Sequence, residues 1–214
     1  MKDYNDFVFE LGKRESGNNY SAKNQFGFLG RWQFGKPRLY DLGYSIDGWK
    51  PNGRPAKNII SEDYFLTNPE LQDRLMKIHV GQLARQVKQR FPDQLATIIQ
   101  GVEVTVSGCV AGIHLKGIGS AKRDVPNSKQ GLRHFLLWNL DPIDGNGTKI
   151  SEYIRKFGGF DLREVDDRIV ANNKLLIPIK LLDEIEARDP EQWFFGNFQN
   201  VKIIKGVEGG TNEC

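Results

Sequence analysis

The stretch from Asn68 to Phe91 constrains the fold more than any other. Asn68-Pro69-Glu70 supplies an N-cap, a residue suited to the first helical position and a first-turn acid. Leu71, Leu75, Met76, Leu83, Val87 and Phe91 then recur at spacings near four. The pattern predicts one long core helix, of about 22 residues, against which the rest of the chain must pack. Further helical segments fit residues 4–15, 93–100, 107–116, 128–138 and 148–157, separated by Gly, Pro or Asn. No strong alternating strand pattern occurs in the first 160 residues, although short strands fit the glycine-rich loop before the long helix. The expected fold class is mainly α.

At 214 residues the chain is long enough to bury a full core as one domain with an appendage, without disulfide or metal staples. It is 39% hydrophobic and 27% charged, and no apolar run approaches membrane-spanning length. A globular protein with no membrane span is expected. The start, MKDYNDFVFELGKRE, carries acids and has no apolar export core, so a standard signal peptide is not expected. Cys109 sits in a small-apolar stretch and reads as core, while Cys214 is terminal, so a disulfide has little support.

Charge divides the chain. Residues 1–160 hold 23 Lys and Arg against 16 Asp and Glu, whereas 161–214 hold 7 against 11. A basic body suits an anionic polymer, nucleic acid or anionic lipid, or is simply well solvated. The segment 163–214 has its own character, with the apolar patch Leu175–Ile179, a helix-like piece at Leu181–Arg188 and the aromatics Trp193, Phe194, Phe195 and Phe198. It is expected to pack back on the body at 1–162, with disorder from about Gly206 onward.

In the first predicted helix, Tyr4, Phe7, Val8 and Leu11 fall on one stripe, and Glu15 lies four residues beyond Leu11. An acid on an apolar stripe loses hydration, and in a last helical turn it faces the negative end of the macrodipole. Both effects favour the neutral carboxyl, the form a general acid needs. A surface Glu that merely ends a helix is the plain alternative. Gly17 stands where a helix terminator is expected. The loop-rich stretch 16–60 carries Tyr20, Phe26, Phe28, Trp32, Phe34, Tyr40, Tyr44 and Trp49, rings that either line a groove or fill beneath the loop.

Other patterns carry less. Asp141-Pro-Ile-Asp144-Gly-Asn-Gly147 fails the spacing of a calcium loop and reads as a turn before a helix. Lys116–Ser120 has spaced glycines but neither a preceding strand nor a Walker lysine-serine pair. No zinc-ligand spacing occurs, and no metal or other cofactor is expected.

The strings ESGNNY at 15–20, GRWQF at 30–34, SGCVAGIHLKG at 107–117 and DGNGTKISEYIRKFGGFDL at 144–162 together resemble the lysozyme-like superfamily of soluble lytic transglycosylases and goose-type lysozymes. The resemblance covers about residues 3–162 and is nearest to phage and secretion-system members that cleave peptidoglycan. It implies a lysozyme-like helical domain with a loop-rich substrate groove. It also implies Glu15 as catalytic acid and then base, Ser16 as its hydroxyl neighbour, and Gln33 as the amide that holds N-acetyl or carbonyl groups. Tyr153 resembles the tyrosine that approaches the acid from a later helix. Ala111-Gly112-Ile113-His114 departs from the family's usual A-Y-N, placing His114 where an aromatic residue or Asn is common. His114 is then a hydrogen-bonding groove residue or a satisfied core histidine.

The implied activity is cleavage of the β-1,4 bond between N-acetylmuramic acid and N-acetylglucosamine, by hydrolysis or by lytic transglycosylation. Asp41, Asp47, Glu62 and Asp63 are the sequence's candidates for a second carboxylate. The implied setting is the periplasm or cell wall, reached by phage lysis or a secretion system, with the enzyme a monomer and an immunity or delivery protein as further partner. A non-catalytic glycan-binding module is the rival reading, and nucleic-acid binding ranks far below both.

Overall fold

Asn68 does cap the long helix, its side chain accepting from Leu71 N at 3.0 Å. In the computed structural model, which describes residues 2–165, this helix is α4 (Pro69–Arg90); α1 (Tyr4–Ser16), α2 (Lys36–Asp41) and α3 (Glu62–Leu66) precede it. Leu75, Met76, Val80, Leu83 and Val87 are almost wholly removed from water along it. Beyond it lie α5 (Val106–Lys116), α6 (Leu132–Trp138) and α7 (Ile150–Lys156). The described residues are mainly helical, and none of their helices is long and apolar enough to cross a membrane.

Two short sheets complete the architecture of the described residues. β1 (Tyr44–Ile46) pairs in parallel with β2 (Asn58–Ile60), Tyr44 opposite Asn58, inside the loop-rich stretch. β3 (Ile98–Ile99) pairs antiparallel with β4 (Val102–Glu103). This hairpin corrects the helix expected over 93–100. Pro92 opens only a single 3-10 turn, Pro92–Gln94, and Gln100 and Gly101 both take positive φ (49° and 70°) as the two turn residues of a tight hairpin. The β-branched run Thr97-Ile98-Ile99 favours the extended alternative. The helix expected over 128–138 begins at Leu132: Asn127–Lys129 form only a 3-10 turn, and the backbone at Gly131, packed against the Gly117 carbonyl, is extended. The boundaries expected for α1, α4, α5 and α7 hold to within about two residues.

Two packing features position the cleft described below. On α5, a Cβ at Gly108 would sit 2.5 Å from the Ile154 carbonyl oxygen, and one at Gly112 would sit 3.2 Å from an Ile150 methylene. These glycines let α7 cross α5 at close range. Phe7 of α1, fully buried, meets Phe157 and Phe160 edge to face at 5.9 and 5.7 Å, which holds α1 against the end of α7. Cys109 is buried and free, as expected of a core residue, and burial pushes its thiol up to about 12. Arg163–Val165 form a 3-10 turn. The remainder of the expected appendage, with its apolar patch, aromatic cluster and glycine-rich end, lies outside the described residues.

Candidate active-site cleft

α1 ends in the last turn that carries Glu15. Gly17, at φ 68°, and Asn18, at φ 63°, turn the chain out of the helix; their N–H groups bond back to the Lys13 and Gly12 carbonyls at 3.2 and 3.0 Å. Ser16 stays out of the cleft: its Oγ donates to Arg31 O at 2.8 Å and accepts from Asn19 N at 3.0 Å. Its hydroxyl therefore ties the start of the loop to its far side.

The returning segment 29–34 places alternate residues by role. Gly30, at φ 76°, packs on the amide of Gln72, which is fully buried and fully bonded: Oε1 accepts from Arg31 N at 3.0 Å, and Nε2 donates to the Tyr20 and Phe65 carbonyls. Arg31 donates to Asn18 Oδ1 and Tyr20 Oη, both at 2.8 Å, and stacks over Trp32. The Trp32 indole is buried and donates to Val8 O at 2.8 Å, pinning the loop to α1. Phe34 is core. Between them Gln33 takes a left-handed backbone at φ 50°, a strained conformation for a non-glycine residue, and donates its amide to Gly30 O at 2.9 Å. Its side-chain oxygen has no partner among the described residues.

These elements enclose a cleft of about 560 Å³. Glu15 and Arg14 form one wall, and Gln33, Asn24, Phe26 and Phe28 a second. His114 and Leu115 at the end of α5, Tyr153 of α7 and residues of the turn Asp144–Thr148 complete the lining. The structure thus gathers Glu15, Gln33, His114 and Tyr153 from four separate segments and leaves Ser16 outside. Among the eight loop aromatics, Phe26 and Phe28 line the cleft and stay 68% and 42% exposed, while Trp32, Phe34 and Tyr40 are core. Asn24 Oδ1 accepts from Phe26 N and Phe28 N at 2.9 and 3.0 Å, fixing the turn that presents the two rings.

Glu15 is half-buried. Tyr153 Oη donates to its Oε1 at 2.7 Å, and Oε2 has no hydrogen-bond partner among the described residues. Burial first, and then the Glu15 carboxylate, push the Tyr153 hydroxyl far above its usual range, so it remains a donor. The Arg14 guanidinium lies 5.8 Å over the tyrosine ring. Tyr153 and Glu15 therefore form a hydrogen-bonded pair, with Arg14 over the tyrosine ring.

Asp47 and Glu62 engage Lys36 and Lys23, and none of Asp41, Asp47, Glu62 and Asp63 lines the cleft. A different carboxylate does. Asp144 Oδ1 accepts from Asn146 N and Thr148 N at 2.9 and 2.7 Å, and Oδ2 has no partner among the described residues. The available signal was its place in a turn directly ahead of the helix that carries Tyr153. The neighbouring Asp141 instead caps that helix through Ser151. His79, behind His114, was also missed, because nothing in one sequence pairs residues 35 apart; its Nε2 lies 3.0 Å from His114 Nδ1. Among the described residues no three His, Cys, Asp or Glu side chains converge as a metal site.

No protein-family model, curated protein or solved structure matches this chain.

Proposed function

We propose that the chain is a lysozyme-like, peptidoglycan-cleaving enzyme that breaks the β-1,4 bond between N-acetylmuramic acid and N-acetylglucosamine. The observation that carries this reading is the convergence of Glu15, held by Tyr153, with the amide of Gln33 and two exposed phenylalanines in one cleft of about 560 Å³. Aromatic faces on one wall accept the flat C–H faces of pyranose rings. The free oxygen of Gln33 accepts an acetamido N–H there. Glu15 donates its proton to the glycosidic oxygen, which leaves as a sugar hydroxyl as C1 takes on oxocarbenium character, and Glu15 is left as the carboxylate.

The carboxylate then takes a proton from whichever hydroxyl attacks C1. If the muramic C6 hydroxyl attacks, with the substrate's acetamido group assisting, the product is a 1,6-anhydro sugar. If water attacks, the product has a reducing end. Asp144, a carboxylate that lines the same cleft and whose Oδ2 has no partner among the described residues, favours the second outcome, since a carboxylate there can orient and deprotonate water. The setting of this work is the cell wall or periplasm.

Incubating purified protein with peptidoglycan tests the reading. Soluble muropeptides should appear, and Glu15→Gln should abolish their release while leaving the thermal midpoint nearly unchanged. A Glu15→Gln variant that releases muropeptides at the wild-type rate defeats the assignment, and a folded wild type that binds glycan without release makes it a binding module. Mass spectrometry separates the chemistries, because anhydro ends are one water lighter than reducing ends.

A further inference from the structure

Resting on that reading of the cleft, we propose that Arg38 and His79 are positioning residues. They form a one-directional hydrogen-bond chain that holds His114 as a neutral ring with its proton on Nε2, the donor it offers to an oxygen of the bound sugar.

The chain follows from which atoms can donate. Arg38, on α2, is buried, and its guanidinium can only donate. Its Nε lies 2.8 Å from His79 Nδ1, and its second amino nitrogen lies 2.6 Å from Gln82 Oε1. His79 Nδ1 must therefore present a lone pair, which leaves the proton of the neutral ring on Nε2. That nitrogen is 3.0 Å from His114 Nδ1, so His79 donates and His114 accepts. The proton of His114 is then on Nε2. A second proton on either ring would set two N–H groups against each other, Arg38 against His79 or His79 against His114.

The surroundings hold this arrangement in place. His79 is only 3% exposed, and Phe34 meets it edge to face at 5.3 Å and His114 at 6.2 Å. Phe34 directly follows Gln33, so the two rings that carry the chain also brace the segment that places the cleft amide. The charged groups facing the pair are Arg38, with Asp41 beside it, and Glu15 toward the cleft. Burial lowers both imidazoles, with Arg38 and the second ring adding to the effect on His79. For His114, the Glu15 carboxylate and the Trp32 backbone carbonyl oppose it. A neutral His114 thus accepts from His79 at Nδ1 and presents its Nε2–H as a donor.

The decisive measurement is a long-range nitrogen–proton NMR spectrum of the full chain with 15N-labelled histidine at pH 7, which reads each ring's tautomer without substrate. His79 and His114 should both show the neutral Nε2–H pattern. A His114 proton on Nδ1, or a His114 that titrates with an ordinary midpoint, overturns the proposal. Two variants add a kinetic readout. His79→Leu should let His114 populate both tautomers and raise KM for peptidoglycan about tenfold. His79→Gln, whose amide can still donate to His114 Nδ1, should restore the Nε2–H tautomer and bring KM to within about threefold of wild type. A folded His79→Leu protein with wild-type KM and an unchanged His114 spectrum also overturns it. If either variant fails to fold, the wild-type spectrum decides alone. Absence of any peptidoglycan turnover by the wild type defeats the glycosidase reading instead and leaves the tautomer result standing.

Discussion

Replacing Tyr153 with Phe removes one oxygen atom from the cleft and little else. The hydroxyl donates to Glu15 Oε1 at 2.7 Å, a bond to an ionisable group worth about 1.5–3 kcal/mol when both partners are held in place. Each 1.4 kcal/mol is about tenfold in rate, so Tyr153→Phe should lower kcat/KM roughly 10- to 100-fold. The phenyl ring retains its packing on Phe157, 5.3 Å away, and its place beneath Arg14. Glu15 is half-buried, so the released oxygen can bond water, and the cost to folding should stay under about 1 kcal/mol, or ~2–4 °C in midpoint. The assay is the initial rate of clearing of a peptidoglycan suspension, paired with a thermal melt of the same sample. A variant within twofold of wild-type activity refutes the claim that Tyr153 holds the carboxyl in its working position. A loss of activity accompanied by a midpoint lower by ten degrees or more would assign the tyrosine to the core.

Phe26→Ala and Phe28→Ala should each raise KM for glycan about three- to tenfold with almost no change in midpoint, because both rings stand in solvent; steady-state kinetics on peptidoglycan and a melt check this. Gly30→Ala should destabilise the fold by roughly 2–4 kcal/mol, since φ is 76° and the new methyl would lie 2.2 Å from the buried Gln72 amide oxygen; denaturant unfolding measures it. Stability should also fall as pH drops below about 6.5. His79, His114 and His134 all have lowered values in the fold, so the unfolded chain binds more protons there and acid favours it. The buried His79 contributes up to ~1.4 kcal/mol per pH unit in that window, and His79→Gln should flatten the slope of unfolding free energy against pH by that amount.

Local pattern was enough for the helices that carry their own signals. Asn68-Pro69-Glu70 marks where α4 begins and its stripe marks which face is buried, because capping and periodicity act within a few residues. Gly17 marks the end of α1 for the same reason. The 93–100 helix failed where two local tendencies competed: Pro92 can open a helix, but Gln100-Gly101 at positive φ closes a hairpin instead. Asp41, Asp47, Glu62 and Asp63 were the carboxylates expected near the cleft, whereas only folding brings Asp144 there, across nearly 130 residues from Glu15.

The amino-acid order by itself determined that the described body is mainly helical, that one long helix anchors it, and that an acid stands at the end of an amphipathic turn ahead of an aromatic-rich loop. Tertiary structure alone decided which oxygen Tyr153 grips, which two of eight aromatics face the cleft, that Ser16 is a clamp, and that Arg38 and His79 stand behind His114. The division has a physical cause. Helix periodicity and caps are set by neighbours within a turn or two, while a hydrogen bond between residues 138 positions apart exists only after Gly108 and Gly112 have let α7 close on α5.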